Sequence, residues 1–348
     1  MGDILHALPA ITALRQAHPG WHIGWVVDPR WLPLLRAGNE ESGEQGSQGA
    51  RSGATQVVDQ LHFAPSREWK RQPFSRKTLQ SIRGLRRELR AVKYDAVIDL
   101  QGAIRSAVIA RMTGSARRIG EAKPREWPAH WLFTERVATH GAHVIEQDLE
   151  LAATIAGDAL QAMAPLLPVD PAAEEWCAAW MAELAASRNA RPLAFLSPGA
   201  GWGAKRWPPE RYAAVARGLK ERGFQVLVNA PPGEDALAAP IVADGASVPV
   251  SVTLPQLIAL MRRIRLFVGG DTGPLHLAAA LERPVVGLYG PTEPGRNGPF
   301  GTRARVLRSP LSRRDYSHRD APDPGLLTIT PEDVLQEADA LLAEVKTA

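Results

Sequence analysis

Three stretches of this 348-residue chain carry residues whose types and spacing suit chemistry. The first is Phe267-Val-Gly-Gly-Asp-Thr-Gly-Pro-Leu-His276, followed by Leu-Ala-Ala-Ala280. An apolar strand ends in two glycines. Asp271 and Thr272 are favourable helix N-cap types, Gly273 permits close backbone approach, and Pro274 suits a first helical turn. Free N–H groups and the positive end of the helix dipole then make an anion site. A second loop, Tyr289-Gly-Pro-Thr-Glu-Pro-Gly295, belongs at the carboxyl end of a neighbouring strand, where open α/β sheets bind ligands. The second stretch, Ser197-Pro-Gly-Ala-Gly-Trp-Gly-Ala-Lys-Arg-Trp-Pro208, has the make-up of a phosphate cradle: glycine-rich backbone and a lysine, Lys205, ahead of a helix. Its glycine spacing is not that of a P-loop, and no Ser or Thr follows the lysine. The third is Gly2-Asp3 at a helix start, where Asp3 is either a cap or a base.

Some chemistries lack their residues. The chain has no Asp-x-Asp pair, no Cys/His cluster with zinc spacing, no Gly-x-Ser-x-Gly elbow and no Gly-x-Gly-x-x-Gly turn with an acid some 20 residues on. His276 sits on an otherwise apolar helix, so core packing and ligand contact both fit it. Trp202 and Trp207 flank Lys205 and suit either a pocket wall or packing between helix and sheet.

The elements that must position these groups alternate. Strands are expected at 22–27, 94–100, 192–197, 225–228, 265–268 and 284–289. Helices are expected at 79–92, 208–222, 254–263 and 274–281. Leu79, Ile82, Leu85, Leu89 and Val92 set the apolar stripe of the first of these helices. This alternation predicts an α/β fold with parallel sheets. Length and a proline-rich stretch, Pro165–Pro171, divide it into domains 1–168 and 169–348. Thr330-Pro-Glu-Asp333 reads as a capping box opening a final helix at 331–345, expected to return to the N-terminal domain. The segment 38–54, rich in Gly, Ser, Glu and Gln, reads as an inserted flexible surface loop. A doubly wound domain should open with an apolar strand. Here Gly2-Asp3 comes at once, with Leu5, Leu8, Ile11 and Leu14 behind it in helical spacing. The first strand of the domain is therefore expected to be missing, through a late start or a truncation.

Composition narrows the partners. The net charge of +4 is far from the footprint of a nucleic-acid binder. A single cysteine, Cys177, allows no internal disulfide and fits a reducing cytoplasm. No apolar run is long enough to span a bilayer, and the N-terminus lacks the features of a signal peptide. Basic residues gather in one place: Arg67, Lys70, Arg71, Arg76, Lys77, Arg83, Arg86, Arg87 and Arg90, against only Glu68 and Glu88. That face is either simply solvated or a dock for the phosphates of a lipid.

With these residues in view, the chain resembles the ADP-heptose:lipopolysaccharide heptosyltransferase family, glycosyltransferase family nine. The resemblance runs from Gly2 to about Arg308. It rests on Met-Gly-Asp-Ile-Leu-His-Ala-Leu-Pro (1–9), Asp-Leu-Gln-Gly-Ala-Ile-Arg-Ser (99–106), Gly-Ala-Lys-Arg-Trp-Pro (203–208), Gly-Asp-Thr-Gly-Pro-Leu-His-Leu-Ala-Ala-Ala-Leu (270–281) and Tyr-Gly-Pro-Thr-Glu-Pro (289–294). It implies a GT-B architecture, two Rossmann-like domains with parallel sheets facing across a cleft. The N-terminal domain would bind the acceptor and the C-terminal domain the nucleotide sugar. It implies inverting, metal-independent transfer of L-glycero-D-manno-heptose from ADP-heptose to a Kdo-lipid A type acceptor, with no cofactor. It places the enzyme in the cytoplasm, peripheral on the anionic inner-membrane surface. By position, Asp3 would be the general base and Lys205 would meet the donor phosphates. Asp271, Thr272, Gly273 and His276 would line the donor pocket, and Glu234 would bind the ribose. Lys70, Arg105 and Arg125 would face the acceptor. The opening motif and basic segment are most similar to members that add the first heptose, and Ser197–Ala200 to those that add the second. Rival readings are a member with another donor or acceptor, a sugar-nucleotide epimerase, and a non-catalytic nucleotide-binding remnant.

Overall fold

The computed structural model describes residues 1–37, 57–188 and 190–346; the expected loop at 38–54 lies outside the described residues. The chain divides into two compact units between Pro168 and Val169.

The first unit opens with a helix, Gly2–Ala17. Five strands follow: β1 (Gly24–Val27), β2 (Gln60–Phe63), β3 (Ala96–Asp99), β4 (Arg117–Glu121) and β5 (Glu135–Val137). All pair in parallel. Among the described residues they form two sheets, β1-β2 and β3-β4-β5, not the single sheet of a complete doubly wound domain. The strand expected at 94–100 shortens to Ala96–Asp99 and is only half-buried until Asp99. The amphipathic helix starts earlier than its apolar stripe, at Arg76, because Ser75 caps it: the Ser75 hydroxyl accepts the Thr78 N–H at 3.1 Å.

The second unit is built on one six-stranded parallel sheet. Its strands are β6 (Leu193–Ser197), β7 (Gln225–Asn229), β8 (Ser247–Val250), β9 (Leu266–Gly270), β10 (Val285–Tyr289) and β11 (Ala304–Arg308). Their order is β11-β10-β9-β6-β7-β8. From β6 the chain winds outward through β7 and β8, then crosses back and winds the other way through β9, β10 and β11. The order therefore reverses between β6 and β9. In open parallel sheets this switch point leaves a crevice at the carboxyl ends of the strands. β6, β9 and β10 are buried along their whole length, which explains their near-continuous apolar sequences.

The capping box at the last helix, Pro331–Lys346, is realised. Thr330 N–H donates to Asp333 at 2.8 Å, and Asp333 N–H to the Thr330 hydroxyl at 3.1 Å. The apolar face of this helix does not go where the sequence suggested. Val334, Ala338 and Leu341 complete the core of the second unit with Val215, Ala216 and Leu219.

Candidate functional site

The crevice at the switch point is defined by the loop after β6 and the turn after β9. Their strands are paired, Ser197 opposite Gly269, so the two connections leave the sheet side by side. The β9 turn delivers Asp271 and then Thr272, the N-cap of helix Gly273–Ala280. Asp271 does not cap. Its carboxylate takes hydrogen bonds from Lys205 Nζ and, at 3.1 Å, from His276 Nε2. Lys205 also donates to the Asp271 carbonyl at 3.2 Å. The Thr272 hydroxyl donates back to the Gly270 carbonyl at 3.2 Å. All three members of the cluster are largely buried. Burial alone would raise the Asp271 pKa. Hydrogen bonding to His276 and the Lys205 charge outweigh it and hold the carboxyl well below its ordinary value. His276 is thus neither a plain core residue nor a cap. One helical turn brings its ring back over the strand end, onto Asp271.

Lys205 stands in a built setting. Its ammonium lies 4.2 Å from the centre of the Trp202 ring. On Trp202 the His318 ring is stacked at 4.3 Å and 5°. Residues 319–323 clamp the same loop: Ala204 N–H donates to the Arg319 carbonyl at 2.9 Å and Asp323 N–H to the Ala204 carbonyl at 3.1 Å. Gly203 has no room for a side chain, since a Cβ would sit 1.7 Å from the Asp320 carbonyl oxygen. Trp207 points away into the core, packed edge-on against Tyr212, its indole N–H donating to the Ile329 carbonyl at 3.1 Å. The two tryptophans therefore divide the roles between them: Trp202 is part of the site and Trp207 is packing.

Glu234 follows β7, the strand on the far side of β6. Its carboxylate lies against the β6 loop; a Cβ on Gly199 would come within 2.1 Å of Glu234 Oε2. Burial raises the Glu234 pKa, partly offset by the Arg206 charge. Lys205, Asp271, Thr272, Gly273, His276 and Glu234 are thus gathered at the carboxyl ends of three adjacent strands, β9, β6 and β7. The surroundings combine a lysine ammonium, a helix N-terminus and a buried carboxylate. These suit a diphosphate with a polyhydroxylated group attached.

A second cluster lies in the first unit. Asp3, in the first turn of helix Gly2–Ala17, keeps 56% of its side chain exposed. Gln101 Nε2 donates to Asp3 Oδ2 at 2.7 Å, and an Arg125 guanidinium nitrogen is 3.9 Å from the same oxygen. The turn after β3 aims Gln101. Buried Asp99 accepts the N–H groups of Gln101 (2.9 Å) and Gly102 (3.0 Å) and the Ser106 hydroxyl (2.8 Å). Burial raises the Asp99 pKa, and these donors oppose the rise. Gly102 adopts φ +63°, where a side chain would be strained, with the Arg125 backbone 3.0 Å from any Cβ. Glu126 then accepts the Ile104 N–H at 2.9 Å, fixing the start of the helix that carries Arg105 in its first turn. Asp3, Arg125 and Arg105 thus belong to one neighbourhood. Lys70 is set on a separate exposed helix, Ser66–Arg71. Asp99 and Gln101 lie in the 99–106 motif but receive no role from the sequence; the signal there is an acid followed three residues on by a glycine.

Among the described residues no group of three His, Cys, Asp or Glu side chains is placed to hold a metal ion, and no helix is long and apolar enough to cross a membrane.

Comparison with known proteins adds the following. Residues 82–324 match the family model described as glycosyltransferase family 9 (heptosyltransferase). The lipopolysaccharide heptosyltransferase 1 of Escherichia coli strain K12 is 29% identical over 318 residues, spanning 89% of this chain and 91% of that protein. The lipopolysaccharide heptosyltransferase 2 of the same strain is 36% identical over 166 residues, 44% of this chain and 48% of that protein. A solved E. coli heptosyltransferase with ADP superposes with a TM-score of 0.73 at 24% identity, over 98% of this chain and 97% of that one.

Proposed function

From a chain that belongs to glycosyltransferase family 9, the heptosyltransferases, and that has the GT-B fold, we propose an inverting, metal-independent transferase of the lipopolysaccharide inner core. It moves L-glycero-D-manno-heptose from ADP-heptose to the Kdo region of lipid A. The observation that carries the reading is the Lys205–Asp271–His276 cluster at the switch point of the six-stranded sheet, inside the matched region.

In this reading the second unit holds the donor. Glu234 takes the ribose hydroxyls, and Lys205, the Thr272 hydroxyl and the N–H groups of Thr272 and Gly273 take the diphosphate. Asp271 and His276 hold Lys205 and shape the pocket around Gly273. The first unit holds the acceptor, with Arg105, Arg125 and Lys70 toward its anionic groups. Asp3 accepts the proton of the acceptor hydroxyl as that oxygen bonds to the anomeric carbon. The bond from that carbon to the diphosphate oxygen breaks, and ADP leaves with the electron pair. Gln101 fixes the carboxylate for this step. The charge growing on ADP is met by Lys205 and the helix N-terminus, fixed donors that need no reorganisation as the reaction proceeds. Because the acceptor is a lipid, the enzyme works on the cytoplasmic face of the inner membrane as a peripheral protein.

The test is transfer from ADP-heptose to Kdo₂-lipid A with EDTA present. Product with an inverted anomeric centre is expected. ADP binding without turnover on any acceptor would leave a nucleotide-binding remnant instead. The stretch of 36% identity to a heptosyltransferase 2 favours a second reading, in which the acceptor already carries one heptose. Running both acceptors in parallel separates the two.

A further inference from the structure

The hairpin formed by helices Ser66–Arg71 and Arg76–Val92 has an inside and an outside of opposite character. Inside, Trp69 packs with Leu85 and Leu89, and its indole N–H donates to the Ser81 hydroxyl at 3.2 Å. The connecting turn is held rigid. Ser75 N–H and the Thr78 hydroxyl both donate to the Gln72 carbonyl, at 3.2 and 2.8 Å, while Ser75 caps the second helix. At the tip of this turn Phe74 is 91% exposed, the most exposed large apolar residue described.

Around Phe74 the charge has one sign. From Trp69 to Arg87 there are seven cations, Lys70, Arg71, Arg76, Lys77, Arg83, Arg86 and Arg87, and no acid. All seven are exposed, and Leu79 lies among them, 43% exposed, one turn from Arg76 and Arg83. A protein partner that covered this surface would have to supply many carboxylates around an aromatic pocket. An anionic bilayer supplies both at once, phosphates for the cations and an apolar layer just below them for the ring.

We propose that this hairpin tip is a membrane-docking device, in which Phe74 inserts between the headgroups of an anionic bilayer and the flanking lysines and arginines bind the lipid phosphates. The proposal deepens the transferase reading and rests on it for why a lipid surface is present. It assigns docking to one turn and adds an apolar anchor to what charge alone would give.

The test is sedimentation of the full chain with vesicles of phosphatidylcholine containing a quarter phosphatidylglycerol, beside pure phosphatidylcholine. Binding to the anionic vesicles is expected, falling at least about tenfold between 0.1 and 0.5 M salt. Phe74→Ser is expected to weaken it a further ~10-fold at low salt without changing the melting temperature, and Phe74→Trp to restore it. Equal binding to neutral vesicles, or Phe74→Ser sedimenting like the unaltered chain, overturns the proposal. Heptose transfer to a detergent-dispersed acceptor, measured on the same samples, keeps the two readings apart. Transfer without Phe74-dependent vesicle binding sinks the docking device alone. Phe74-dependent binding without transfer supports the device and sinks the proposed reaction.

Discussion

At the scale of single residues, the decisive feature is a lysine whose charge is already partly spoken for. Lys205 is ion-paired with a buried aspartate that also holds a histidine. Its removal has two consequences. Lys205→Ala should lower turnover by about 10²–10³-fold, the usual cost of losing one preorganised donor to a developing anion. It should also destabilise the fold by about 3 kcal/mol, because Asp271 keeps its buried charge with one partner gone. Steady-state kinetics and denaturant unfolding read the two effects separately; unchanged stability would mean that His276 alone satisfies the carboxylate. Asp3→Asn should abolish transfer and leave donor affinity intact, because Asp3 is bonded to Gln101 and paired with Arg125, neither of which is given a part in holding the donor. Loss of ADP binding in that variant would remove Asp3 from the role of base. The Asp271 carboxyl titrates below its ordinary value of 3.8 in the folded state. The unfolded chain therefore binds the proton first as pH falls. The stabilisation is fully present above about pH 4 and is lost progressively as the pH drops toward the folded value. Asp271→Asn should remove that part of the acid slope, visible as parallel stability-against-pH curves becoming flatter below pH 4.

At the scale of elements, the site depends on loops held by contacts far along the chain. The β6 loop takes its shape from residues 319–323, more than 100 positions away. Gly203→Ala should therefore push that clamp aside and weaken ADP binding at least about tenfold, since a Cβ there would overlap the Asp320 carbonyl. Gly201→Ala is the control: nothing lies within 4 Å of its Cβ, so ADP affinity should stay within twofold. Calorimetric titration of both variants makes the comparison; equal affinities would mean that the clamp does not govern the loop. The helix after β9 shows how little local sequence had to change to make a site. A capped helix start is ordinary. In the proposed reading it becomes an anion site because Gly269 and Gly270 bring it onto the β6 loop, with the Ser197 and Lys205 carbonyl oxygens 3.0 and 3.4 Å from where Cβ atoms would be.

At the scale of the whole molecule, the proposed function divides the labour between two units. The second has its own sheet and its own core, and in that reading it carries all the donor-side residues. Residues 169–348 expressed alone should fold and be stabilised by ADP, by about 2.7 kcal/mol at a hundredfold excess over Kd. A full chain that responds to ADP while this half does not would show that the first unit supplies part of the nucleotide site. The sequence by itself determined four of the six strands of the second unit, β6, β7, β9 and β10, because a buried parallel strand must be apolar almost throughout, whereas β8 and β11 are only partly buried and carry no such mark. It also marked the glycine-rich turns and Lys205, since close backbone approach restricts residue type. What it could not determine was pairing. Asp271 reads equally well as a cap; Asp99 and Gln101 carry no mark beyond a turn, and the apolar face of the final helix, expected on the N-terminal domain, packs into the core of the second unit. Those choices were made by the tertiary structure. A carboxylate needs a specific donor within about 3 Å, and which donor arrives there is set by the order of strands in the sheet, a long-range property that no local window of sequence contains.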